Sequence, residues 1–310
     1  MNTLRAHLQQ YLILRRAMGF QLLDVARQLD KFVAYLEERG LIQINTAVVT
    51  SWIARLPVSP ATKAGRFAMI RHFAQYLQAD DPQHEVPPAG LFPGRSHRQK
   101  PHIYSDDQIT RLMHAAQQIP SAAGACAKSM TTVLGLLVVT GMRIGECLAI
   151  NDADVDLDEG VITIVATKFR KSRLIPLHHT TREQLRQYKR WRDRRFPTRH
   201  SPSFLVSSHG TRLWKGNVRI TFHRLSRQIG IRRPGDRHGP RLHDFRHTFA
   251  VRTLQAWYEA GTGVDQHLPE LATYLGHTHV SDTYWYLTGT PELLQVVASQ
   301  IDRLNEEASV

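Results

Sequence analysis

The stretch "VITIVATKFRKSRLIPL", residues 161–177, decides the fold class. Apolar, mostly β-branched residues alternate on either side of a run of cations, a period of two that suits a strand and not a helix. Lys168, Arg170, Lys171 and Arg173 crowd its middle, which reads as the basic turn of a β-hairpin, solvated or inserted into a nucleic-acid groove. The rest of the chain carries helical periodicity. The expectation is a mainly α protein with one small antiparallel β element, an α+β arrangement.

Just upstream, "TGMRIGECLAI" (140–150) places Arg143 after a glycine break at the mouth of a new helix, with Glu146 three residues on. The preceding run "VLGLLVVTGM" (133–142) is the longest apolar stretch, about half of what spans a bilayer. Towards the N-terminus, residues 3–79 read as four helices. Leu4, Leu8, Tyr11 and Leu12 sit at helical spacing, Gly19 and Gly40 stop two runs, and Ser59 with Pro60 opens the last as cap and first turn. This predicts a small basic bundle over residues 1–80. Residues 81–103, rich in Pro, Gly and basic side chains, read as a linker. A second domain over 104–310 then opens at "YSDDQ", with Ser105 as N-cap.

The 310 residues carry a net charge of +13 with histidines neutral, and the sequence pI is near 10.1. Such an excess favours a polyanionic partner, because each Lys or Arg placed on a phosphate releases a counterion. Hydrophobic residues make up 42% of the chain, enough for a core, so disorder is not expected. The two cysteines, Cys126 and Cys147, lie in apolar helical surroundings and are expected to be buried, reduced thiols. The N-terminus lacks a signal peptide's apolar run, so a soluble, cytoplasmic protein with no membrane partner is expected.

Downstream, "LHDFRHTFA" (242–250) packs ionisable groups into a helix start. His243 and His247 have the one-turn spacing of a metal pair. However, Asp244 stands where a zinc-protease pattern has Glu, and Arg246 would set a cation against the ion. His243 and Arg246, three apart, instead point together as a phosphodiester site needs. The plainer alternative is that Arg246 pairs with Asp244 or Glu146. "LATYLGHTHVSDTYWYL" (271–287) sets His277 after a glycine, then Tyr284, Trp285 and Tyr286, aromatics that ordinarily pack in a core. No glycine loop for nucleotide phosphates and no acidic cluster suited to Mg²⁺ occurs, so no cofactor or metal is expected.

In order and spacing these segments resemble the tyrosine recombinases, the phage-integrase or Xer-like family. The resemblance rests on Arg143 in "TGMRIGE", Lys168 in the hairpin, His243 and Arg246 in "LHDFRH", His277 in "LGH", and Tyr286 nine residues later. It covers 103 to about 295, and the N-terminal bundle more loosely resembles the family's SAM-like core-binding domain. It implies that Tyr286 attacks the scissile phosphate and becomes linked to its 3′ side. Arg143 and Arg246 would grip the nonbridging oxygens, and Lys168 would protonate the leaving 5′-oxygen. His243 would assist proton transfer at the nucleophile, His277 would hydrogen-bond the phosphate, and Glu146 would brace an arginine. Tyr284 competes for the nucleophile's role, but the interval from His277 favours Tyr286 and leaves Tyr284 to pack. Lys171 competes with Lys168, and His279 is expected at the surface. The amphipathic stretch 290–304 would dock on its own domain or on a neighbouring protomer. The resemblance implies a double-stranded DNA partner, a homotetramer on DNA, and metal- and ATP-independent strand breakage and rejoining. A non-catalytic DNA-binding module of the same fold, a relaxing topoisomerase and a metal-dependent nuclease are the rival readings.

Overall fold

The structure, a computed structural model, describes residues 3–20, 22–94, 100–121, 124–165, 172–236, 239–277 and 279–289. The chain divides into two compact units, Met1–Gln99 and Lys100–Val310.

Four helices build the first unit: α1 (Leu4–Ala17), α2 (Leu23–Glu37), α3 (Thr46–Ala54) and α4 (Pro60–Gln78). Side-chain oxygens of Thr3, Asn45 and Ser59 cap α1, α3 and α4, and Pro60 fills the first turn of α4, where a missing N–H costs nothing. Their apolar stripes meet in a core around Leu8, Leu29, Phe32, Val49, Ile53 and Phe73. The first part of the stretch read as a linker folds onto this bundle. His84 Nδ1 accepts from the Ile44 N–H at 3.1 Å, and Glu85 accepts from the Thr46 N–H at 2.9 Å. Phe92 lies 5.2 Å from the Phe67 ring. The proline and glycine density that suggests a tether instead shapes a strap along α4. Residues 95–99 lie outside the described residues.

The second unit opens with α5 (Asp106–Gln117), whose expected N-cap Ser105 also forms a reciprocal capping box with Gln108. The apolar α6 (Ala125–Thr140) runs through the core and packs against α5 and, later, α10. The short α7 (Ile144–Ala149) leads into an antiparallel sheet of order β1 (Val155–Asp156), β2 (Val161–Ile164), β3 (Arg173–Pro176). Ile162 pairs with Ile175. Ile162, Ile164 and Ile175 face the core while Leu174 is exposed, the alternation read from the sequence. The hairpin thus forms, with β1 added as a third strand too short to leave a period. Then follow α8 (His179–Arg195), α9 (Lys215–Gln228), α10 (Asp244–Glu259), α11 (Val264–Leu275) and α12 (Ser281–Gly289).

Two polar anchors fix this framework. Arg192 of α8, fully buried, pairs with Asp152 at 2.6 Å and Asp193 at 2.7 Å. At the N-terminal end, Tyr104 stacks on Phe245 of α10 at 4.3 Å. Its hydroxyl donates to the Arg241 carbonyl at 2.9 Å, and its N–H donates to Thr248 Oγ1 at 3.0 Å. Cys147 is buried as expected, but Cys126 is exposed. Cys126 sits in the first turn of α6 between buried Ala125 and Ala127, and an apolar neighbourhood in sequence does not put every side of a helix inside. No described helix is long and apolar enough to cross a membrane.

Candidate active site

The site begins where α6 stops. Gly141 terminates that helix in the left-handed region, φ +59°, and a Cβ there would lie 2.6 Å from the Phe249 ring, so glycine is required twice over. The turn delivers Arg143 to the N-cap of α7, where Glu146 accepts from the Arg143 N–H at 2.9 Å and from its Nη1 at 2.8 Å. Asp244 opens α10 by taking the Arg241 N–H at 2.9 Å and the Arg241 side chain at 2.8 Å. Arg246 is left without a carboxylate partner among the described residues. Fully buried, Arg246 donates from Nη1 to Gly141 O at 3.1 Å and from Nη2 to Leu275 O at 2.5 Å. The plain alternative, a pair with Asp244 or Glu146, is therefore not what forms.

Both arginines converge on the end of α11. Gly276, φ +68°, turns the chain so that the His277 N–H returns to Ala272 O at 2.9 Å. Arg143 Nη2 then donates to Gly276 O at 2.9 Å, one residue beyond the carbonyl that Arg246 takes. A helix C-terminus carries partial negative charge, which holds the two like-charged guanidiniums side by side.

The remaining candidates gather around them. His277 follows Gly276 directly and shares a 2.7 Å hydrogen bond between its Nδ1 and Thr283 Oγ1. Tyr286, buried on α12, has its ring 6.2 Å from His277 and 5.4 Å from His247. His247 in turn lies 4.8 Å from His243. Arg143, Arg246, His243, His277 and Tyr286, spread over more than a hundred positions, thus occupy one neighbourhood. Lys168, with Arg170 and Lys171, lies outside the described residues, as does 290–304. Tyr284, expected to pack, is 47% exposed, whereas Tyr286 takes the core position. His279 is exposed.

Electrostatics follow from this crowding. Burial, then Arg246 and Arg143, push His277 down to about 4. His243 is exposed as a residue, yet the surrounding protein and then Arg246 also lower its pKa, so both imidazoles are neutral near pH 7. Burial and the Arg143 charge lower Arg246 to about 10, which leaves it cationic. Burial would raise Glu146, but hydrogen bonds from Arg173 and Arg143 overcome it and hold the carboxyl at about 2. The site thus sets two cationic guanidiniums beside uncharged imidazoles. Among the described residues no cluster of three or more His, Cys, Asp or Glu is arranged to hold a metal ion.

Arg173 is the participant the sequence hid. Counted among the cations of a basic turn, it instead opens β3 with its side chain 10% exposed and its Nη2 2.7 Å from Glu146. No local pattern separates it from Arg170 or Lys171, since only the register of the sheet turns it inward.

The model of the phage integrase family matches residues 103–292. The putative integrase/recombinase y4rB of Sinorhizobium fredii is 44% identical over 312 residues, covering 99% of each chain. The tyrosine recombinase XerC of Pseudomonas putida is 25% identical, covering 88% of this chain and 86% of that one. Among solved structures, the Tn1549 transposon integrase bound to transposon right-end DNA superposes with a TM-score of 0.66 at 15% identity, covering 98% of this chain and 99% of that one. That last likeness speaks for the fold.

Proposed function

The chain belongs to the phage integrase family of tyrosine recombinases, and from that premise we propose that it recombines specific DNA sites through a covalent 3′-phosphotyrosyl intermediate on Tyr286. The observation that carries this reading is the pair of guanidiniums aimed at consecutive carbonyls, with the Tyr286 ring among the adjoining histidines. A metal-free phosphodiester displacement needs fixed donors for the charge that builds on the nonbridging oxygens. A guanidinium has five N–H groups, and the carbonyls engage two of Arg246's, so donors remain for phosphate.

In the proposed step the Tyr286 oxygen bonds to phosphorus while the bond to the 5′-oxygen breaks. Neutral His243 takes the phenolic proton, and Lys168 protonates the departing 5′-oxygen. His277 supports the phosphate. When Thr283 donates to its Nδ1, the ring proton sits on Nε2, which then serves as a donor. The phosphotyrosine conserves the energy of the broken bond, so a 5′-hydroxyl rejoins the strand without ATP. Exchange between two duplexes cuts four strands, and each protomer supplies one Tyr286, which is the basis for proposing a tetramer on double-stranded DNA.

The test is a suicide duplex, nicked beside the cleavage position, carrying a site found by footprinting the DNA that flanks the gene. The unsubstituted protein traps itself as a detergent-resistant adduct, Tyr286→Phe binds without trapping, and Tyr284→Phe traps normally. An adduct that survives Tyr286→Phe overturns the assignment, and no adduct from any variant returns the protein to a DNA-binding module. Supercoil relaxation without a specific site supports the topoisomerase alternative.

A further inference from the structure

We infer that Arg173 is a positioning residue for the phosphate-gripping arginines: by clamping Glu146 it keeps that carboxylate from closing fully onto Arg143, and it ties the hairpin to the turn at Gly276. This rests on the phosphoryl-transfer reading above.

The Glu146 carboxylate is shared in a defined way. Its Oε1 accepts from Arg143 Nη1 at 2.8 Å and from Arg173 Nη1 at 3.2 Å. Its Oε2 accepts from the Arg143 N–H at 2.9 Å and from Arg173 Nη2 at 2.7 Å. Arg173 is therefore the two-pronged partner, and the Arg143 side chain receives one oxygen only. Planar guanidinium and carboxylate groups favour the two-pronged geometry. Without Arg173, the same carboxylate is free to take both prongs of Arg143, which would neutralise Arg143 and turn Nη2 away from Gly276 O.

Arg173 also reaches the other side of the site. Its Nη1 lies 2.8 Å from where a Cβ on Gly276 would stand, so the guanidinium packs against the turn whose carbonyl orients Arg143. Its side chain is 10% exposed, and its buried Nε has no hydrogen-bond partner among the described residues. Because Arg173 begins β3, five positions after Lys168 in the chain, one residue links the strand leading from the proposed proton donor to the arginine pair.

The experiment is a double-variant cycle in the full chain on the suicide duplex, with DNA affinity and thermal unfolding measured in parallel. Arg173→Met is expected to slow adduct formation at saturating DNA by about 10- to 100-fold, less than the 10²–10³ typical of removing a donor that touches the developing charge. Its DNA affinity should stay within about threefold. Arg173→Lys, which keeps the charge but cannot span both oxygens, should recover only part of the rate. In a Glu146→Gln background the further loss from Arg173→Met should shrink to about threefold or less, because the target of the clamp is already altered. A full-sized loss in that background would place Arg173 directly on the phosphate and overturn the inference. So would an unchanged rate in Arg173→Met, or a loss that merely tracks unfolding. Absence of any adduct from the unsubstituted protein would instead sink the recombinase reading.

Discussion

Arg143 and Arg246 donate to the carbonyl oxygens of adjacent residues, Gly276 at 2.9 Å and Leu275 at 2.5 Å, although 103 positions separate them in the chain. One helix end thus aligns both guanidiniums, and its shape matters as much as the arginines.

Gly276→Ala tests that shape. Its φ of +68° disfavours a side chain, and the new methyl would meet Arg173 Nη1 at 2.8 Å. The expected cost is about 1–2 kcal/mol in urea unfolding, accompanied by slower adduct formation. Unchanged stability and rate would show that the turn does not set the arginines.

Arg246→Lys should be far from conservative. A single ammonium cannot reach Gly141 O and Leu275 O together while also meeting phosphate. Adduct formation is expected to fall by roughly 10²–10³, with DNA affinity in gel shifts little changed. Near-normal trapping by the lysine variant would count against the site.

His277 gives a pH signature. Burial and then the arginines lower its pKa to about 4, below the unfolded value near 6.5. The unfolded chain therefore binds the proton first on acidification, and stability present above about pH 6.5 is lost as pH falls towards 4. Allowing for partial solvent screening, the loss from this group between pH 7 and pH 5 is about 1–2 kcal/mol. His277→Gln should remove that share of the decline in denaturant titrations at the two pH values, and an identical decline in both proteins would refute it.

Tyr104 should matter for holding α10. Tyr104→Phe leaves the Arg241 carbonyl without its 2.9 Å donor and should cost about 1 kcal/mol. Tyr104→Ala also removes the stack on Phe245 and should cost about 3–5 kcal/mol. Equal losses in thermal unfolding would mean that the ring contributes nothing.

What could be read in advance divides along physical lines. Ser59 and Ser105 were legible because a cap is a local contract between a side chain and an N–H two or three residues on. The hairpin was legible because apolar residues alternate within each strand, Ile162 with Ile164 in one and Ile175 beside exposed Leu174 in the other. The convergence of Arg143 and Arg246 was reachable only through family likeness, since no local pattern encodes a contact across 103 positions. Arg173, Arg192 and the strap formed by His84 to Phe92 were not legible. Each is a polar or loop residue buried by tertiary register, and composition reports such residues as surface. Cys126 erred in the opposite sense, through a helix face misjudged by one position.

Glu146, wedged between two cations, also sets the formal charge of the cleft. Among the described residues, Arg143, Arg173 and Arg246 against the Glu146 carboxylate leave a surplus of two positive charges, with His243 and His277 adding none near neutrality. An intact phosphodiester is a monoanion, but a five-coordinate phosphorus that has just accepted a phenolate is a dianion. Under the proposed chemistry these fixed charges favour the fleeting species over the resting strand, which is the imbalance a catalyst requires.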